Sequence, residues 1–130
     1  MINIKKVVLI AVCIIVLVIG FYGKQLLNYK KTIKEIKIEN VDLSTISDGK
    51  YTGSCDASYI AAEVSVTVKD HKIIDISLLK HKNERGKPAE VIPGKVVEAQ
   101  SLKVDTISGA TNSSKVILKA IENALETGKS

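Results

Sequence analysis

Apolar and polar residues are spread unevenly along the chain, and the pattern changes three times. Val7 to Gly23 (VVLIAVCIIVLVIGFYG) holds no charge and is bracketed by Lys5, Lys6 and Lys24. As a helix it spans roughly 25 Å at about 1.5 Å per residue. That is slightly short of a hydrocarbon core of about 30 Å, which Ile2, Ile4 and snorkelling lysines can extend. Residues 24–47 are polar, but Leu26, Leu27, Ile33, Ile36 and Ile38 recur loosely at helical spacing, so the apolar helix is expected to continue beyond the bilayer. Asp48-Gly49 is a turn signal that opens a folded part.

From Lys50 the period becomes that of strands. Tyr51 to Cys55 reads as a short strand. Ala62 to Lys69 alternates with Val64, Val66 and Val68 on one face, Asp70-His71 makes a turn, and Ile73, Ile74, Ile76, Leu78 and Leu79 continue as a third strand. Asn83 to Lys87 is a loop. Ala89 to Gln100 is expected to be helical, with Pro93 and Gly94 able to split it into two pieces. Val104 to Ser108 reads as extended. Asn112 to Glu126 has the clearest helical stripe, Ile117, Ala120, Ile121, Ala124 and Leu125, with Gly128 ending it. The expected class is α+β: a small antiparallel sheet covered by two helices, preceded by one N-terminal transmembrane helix. The expected organisation is an anchor at 1–23, a polar spacer at 24–47 and one domain at 48–130.

Composition narrows the function. The formal charge is +5, and it sits mainly beside the apolar segment. Lys5 and Lys6 flank one side; Lys24, Lys30, Lys31, Lys34 and Lys37 face Glu35, Glu39 and Asp42 on the other. Residues 47–130 carry twelve basic against eleven acidic side chains. This distribution suits anionic lipid head groups. It lacks the basic stripe and aromatic platforms of a nucleic-acid binder, so no nucleic-acid partner is expected. Cys13 and Cys55 lie in different segments, in no CxxC and no zinc spacing, so no disulfide framework or metal site is expected. Cys55 is either a redox thiol or a small half-buried strand residue. For the apolar segment, a cleaved signal peptide has only the weak Val18-Ile19-Gly20 site, and Cys13 follows Val12 rather than a small residue. An uncleaved single-pass anchor is the expectation.

Candidate chemistry lies just before the last helix, in Asp105-Thr106-Ile107-Ser108-Gly109-Ala110-Thr111. Gly109 and Ala110 permit close approach to the backbone. The first amides of the helix that follows, at Asn112, Ser113 and Ser114, favour an anionic group such as phosphate. Thr111 brings a hydroxyl there. Local physics alone leaves the plainer alternative open, with Thr111 or Asn112 acting only as an N-cap.

DTISGATNSS resembles the flavinylation motif of the FMN-binding domain family, D-x-x-[ST]-G-A-T, and all five specified positions match. That family includes covalently flavinylated subunits of sodium-pumping quinone reductase and of Rnf-type complexes, and short membrane-anchored proteins. The resemblance runs from about Asp48 to Leu125, through DGKYTG, VTVKDHKIIDISLLKH, VVEAQSLKVD and SSKVILKAIENAL. It implies that Thr111 accepts FMN as a phosphoester, installed from FAD by a magnesium-dependent flavin transferase. Asp105, Ser108, Gly109 and Ala110 would be what that enzyme reads, and would later pack around the phosphate. The large-complex subunits carry a His-x-Glu-Thr-Pro-Gly segment near the flavin ring. Here His81-Lys82-Asn83-Glu84-Arg85-Gly86 stands in its place: His81 and Gly86 correspond, and the Glu-Thr-Pro core does not. His81 is thus either a flavin contact or a surface histidine beside a loop.

A covalent link removes the dissociation equilibrium that would empty a site outside the cell. Motif and anchor together therefore imply an exported domain with the amino terminus inside. No Ser-His-Asp set, metal motif or dinucleotide fingerprint is present. The expected function is electron carriage rather than turnover, with the membrane, the transferase and redox proteins or the quinone pool as partners. A binding or sensor module is the alternative from another class.

Overall fold

The computed structural model describes residues 3–82 and 86–129. Ile2 and most of the expected Asn83–Lys87 loop lie outside them. The first element, α1, is a single helix of 32 residues, Ile4–Glu35. Asn3 caps it, its side chain accepting the Lys5 N–H at 3.1 Å. The helix is long and apolar enough to cross a membrane, and its apolar stretch is buried against nothing in the chain. As the spacing of Leu26 to Ile33 predicts, the helix continues past the apolar segment.

The chain then forms β1 (Gly49–Asp56), β2 (Ala61–Lys69), β3 (Lys72–Lys82), a 3₁₀ turn at Lys87–Val91, α2 (Ile92–Ala99) and α3 (Thr111–Thr127). The strands make one antiparallel sheet in the order β1-β2-β3. Asp70 and His71 join β2 to β3 with φ of +52° and +61°. Positive φ at both central residues is the geometry whose twist matches a tight hairpin, and Asp is among the residues that tolerate it.

The sequence of β3 breaks strict alternation, and the structure shows how. Two bulges shift its register against β2, between Glu63 and Val64 and between Thr67 and Val68. Ile74 and Leu79 are the extra residues, and both are exposed. Ile73, Ile76 and Leu78 stay on the core face opposite Val68, Val66 and Val64. A bulge adds one residue on one strand and so resets the period of two.

α3 lies across β1 and β2. Its whole stripe of Ile117, Ala120, Ile121, Ala124 and Leu125 is buried, as its spacing predicts. The close approach depends on Gly53, where a Cβ would stand 2.3 Å from both the Ala120 carbonyl oxygen and the Ala124 nitrogen. α2 covers β3. The helix expected over Ala89–Gln100 is in two pieces, the 3₁₀ turn and α2, with Pro93 in the first turn of α2, where its missing N–H costs no hydrogen bond. Gln100 ends α2 in the left-handed region. Its side-chain amide accepts the Ile73 N–H at 2.8 Å and donates to the Ile73 carbonyl at 2.7 Å, joining α2 to the bulged strand.

Val104–Ser108, expected to be extended, pairs with no strand among the described residues and ends in a turn at Ser108-Gly109. The later part of the 24–47 spacer packs on the domain. Val41 and Ile46 are buried in the core. The Glu39 N–H donates to the buried Glu122 carboxylate at 2.6 Å, and Lys119 pairs with that same carboxylate. Ile46 holds this segment beside the end of α3, where it bridges to Lys129.

Candidate functional site

The Ser108-Gly109 turn shapes the start of α3. The Ala110 N–H closes it on the Ile107 carbonyl at 2.9 Å. Gly109 has φ of +81° at the third position, where a type II turn calls for glycine. A Cβ on Gly109 would meet nothing within 4 Å. The backbone conformation, and not crowding by the protein, is therefore what selects glycine here, and the space beside it is open.

The cap differs from both sequence alternatives. Ala110, with φ −136°, is the N-cap, and no side chain caps the helix there. Thr111 is already the first helical residue. The turn is held instead by Ser114, whose buried hydroxyl accepts the Ile107 N–H at 3.0 Å and donates to the Ala110 carbonyl at 2.8 Å. A hydroxyl one turn inside the helix thus takes over the ordering that a cap would supply. Thr111 and Asn112 are left exposed. The first intrahelical bond runs from the Ser114 N–H to the Ala110 carbonyl. The amides of Thr111, Asn112 and Ser113 therefore precede the helical ladder, at the positive end of the helix dipole.

These amides border a cleft of about 320 Å³, lined by Gly109, Ala110, Thr111, Asn112 and Ser113 on one side. Gly86, Ile60 and Tyr29 line the rest. Its volume lies at the small end of the range for small-molecule sites. One end offers amides and a hydroxyl, which suit a phosphate. The Tyr29 ring and Ile60, which also line the cleft, suit an apolar ring system. Tyr29 comes from α1, 82 residues before Thr111, and its presence here has no signal in the spacing of the spacer.

The sequence candidates separate in space. Thr111, Gly109, Ala110 and Gly86 line the cleft; Ser108 is exposed beside it. Asp105 is exposed in a different shallow depression, with Lys95, Glu98 and Lys103. His81 does not line the cleft, and its side chain is only 3% exposed, so it is not a surface histidine. Its Nδ1 lies 2.9 Å from a Glu90 carboxylate oxygen and its Nε2 lies 3.2 Å from the Ser113 hydroxyl. His81 thereby braces the wall of the cleft from behind. Cys55 is half-buried beside α3, and burial pushes its thiol up from the ordinary value of 9.0, partly offset by Lys119. Both cysteines are free thiols, and the described residues hold no cluster of metal-binding side chains.

The sheet is packed under α3, and a glycine turn brings the Thr111 hydroxyl and the first amides of that helix to the cleft. The comparison with known proteins is specific. The FMN-binding domain family matches residues 60–126, about half of the chain, and the chain belongs to that family. It is also 36% identical over 97 residues to an NADH:acrylate oxidoreductase of Vibrio harveyi. That match covers 72% of this chain and 9% of the relative, so the chain corresponds to a small part of the larger protein. The protein is thus a flavoprotein of the FMN-binding class.

Proposed function

We propose that this protein is a membrane-anchored electron carrier bearing FMN in phosphoester linkage to the Thr111 hydroxyl, on the extracytoplasmic side. The observation that carries the proposal is the placement of Thr111. Its side chain is exposed at the cleft, caps nothing, and stands among the unpaired amides of α3. A threonine needed only for the helix would be expected at the cap, one residue earlier.

The linkage balances with FAD as donor. The Thr111 hydroxyl oxygen forms a bond to the flavin-side phosphorus, the pyrophosphate bond of FAD breaks, and AMP leaves as the hydroxyl proton is released. Magnesium and the base belong to the transferase. The amides of Thr111 to Ser113 then hold the phosphoester oxygens, and Gly109 leaves room beside them. Tyr29 and Ile60 give the ring an apolar surface. The bound cofactor supplies one- and two-electron transfer. The oxidoreductase name of the relative supports a redox use of the domain, and α1 supports partners confined to the membrane, whether proteins or the quinone pool.

The test is the intact mass of the full-length protein produced with a flavin transferase. Wild type should gain the mass of FMN minus one water and fluoresce on a denaturing gel. Thr111→Val keeps the shape and lacks the oxygen; it should lose the label with a stability change within about 0.5 kcal/mol, as for exposed substitutions. A label that persists in Thr111→Val would falsify the linkage site.

A further inference from the structure

We infer that α1, the anchor helix, is part of the flavin site: Tyr29 packs on the ring system of the cofactor and shields it from solvent. This inference rests on the Thr111 reading and extends it to a residue outside the matched family region.

Three observations place Tyr29 there. It lines the cleft together with Thr111 and Asn112. Its hydroxyl accepts a hydrogen bond from the Asn112 side-chain amide at 3.3 Å, so the anchor helix touches the first turn of α3 directly. Its ring meets Tyr59 edge-on, with centroids 5.3 Å apart and planes at 82°. An edge-to-face pair uses one edge or face of each ring and leaves further aromatic surface for contact. Tyr59 also reaches back to Gln25 at 3.4 Å, and Ile33 is buried one turn beyond Tyr29. Gln25, Tyr29 and Ile33 recur every four residues on one face of α1, so a single helical face docks on the domain. A helix serving only as a tether would have no reason to dock Gln25, Tyr29 and Ile33 on the domain and to place the Tyr29 ring in the cleft.

The geometry has a consequence for position. Tyr29 lies six residues after Gly23, the end of the charge-free segment. At about 1.5 Å per residue that is about 9 Å along the helix. A ring packed on Tyr29 is therefore held close above the bilayer surface, at a height set by α1 and not by a flexible linker.

The experiment uses full-length protein labelled by its transferase and purified in detergent, with intact mass confirming one FMN per chain in every variant. The readout is collisional quenching of flavin fluorescence by iodide. Tyr29→Leu keeps apolar bulk and helix propensity but lacks the ring; its flavin should be about fivefold more accessible to iodide than in wild type, the shift expected from losing one aromatic contact. Tyr29→Phe retains the ring and should stay as shielded as wild type, and it supplies the comparison should the leucine variant fold poorly. Equal accessibility in labelled wild type and Tyr29→Leu overturns this inference alone, as does a Tyr29→Phe protein as accessible as free flavin. Wild type without the added mass overturns the Thr111 linkage, and this inference with it.

Discussion

The His81 imidazole and the Ser113 hydroxyl meet at 3.2 Å, joining the end of β3 to the first turn of α3 across 32 residues of sequence. Glu90 holds the other ring nitrogen at 2.9 Å. The imidazole is thereby fixed between the segment before α2 and the helix that bears Thr111. His81→Ala should remove both bonds and leave the buried Ser113 hydroxyl without this partner, at a cost of about 1–3 kcal/mol. Urea denaturation of the detergent-solubilised protein measures it. An unchanged midpoint would show that the brace is dispensable.

Gly53 sets the distance between β1 and α3. With 2.3 Å from a Cβ to two backbone atoms of α3, alanine cannot be accommodated by moving a side chain. The helix must lift off the sheet. Gly53→Ala should therefore destabilise by about 3 kcal/mol or more, at the upper end for overpacking. That corresponds to a melting midpoint lower by at least about 10 °C for a domain of this size. A loss of under one-third of that would mean that α3 sits farther from the sheet.

Asp105 stands apart from the cleft, exposed beside Lys95 and Lys103. Under the proposed linkage, a residue placed there can be read by an enzyme without touching a phosphate on Thr111. Asp105→Ala should fold and melt as wild type yet stay unlabelled when incubated with purified transferase and FAD. Asp105→Asn distinguishes charge from hydrogen bonding. Labelling of Asp105→Ala at the wild-type rate would restrict the recognition element to Ser108–Thr111.

Burial beside α3 disfavours the Cys55 thiolate, and the nearby Lys119 only partly offsets this. In Cys13→Ser protein, iodoacetamide should modify Cys55 more slowly than an exposed thiol at pH 8, the difference narrowing above pH 9. The sign for stability follows. A folded-state value raised above the unfolded 9.0 contributes fully below that value, and the contribution is lost as pH rises through the raised one. The protein should thus lose stability on the alkaline side, and Cys55→Ser should reduce that loss. Rapid modification at neutral pH would revive a redox thiol.

What the sequence determined by itself was local. A charge-free run, alternation in β2, two turn residues before β3 and a 3.6-residue stripe in α3 each follow from contacts within one element, and all are present in the structure. The motif was legible through its family resemblance, and a helix start exposes amides wherever it occurs, whereas the left-handed backbone that selects Gly109 was seen only in the structure. Tertiary packing decided the rest. The bulge at Ile74 brings Ile73 to the face of Ile76 and Leu78, which no period of two allows, and the bulge at Leu79 does the same for His81, opposite Ala62. Ala110 became the cap because Ser114, one turn later, is buried where it can hold the turn. His81 left the surface because Glu90 and Ser113 converge on it from elements that no spacing relates. Tyr29 entered the cleft because α1 docks through one face, and that contact depends on where a distant helix begins.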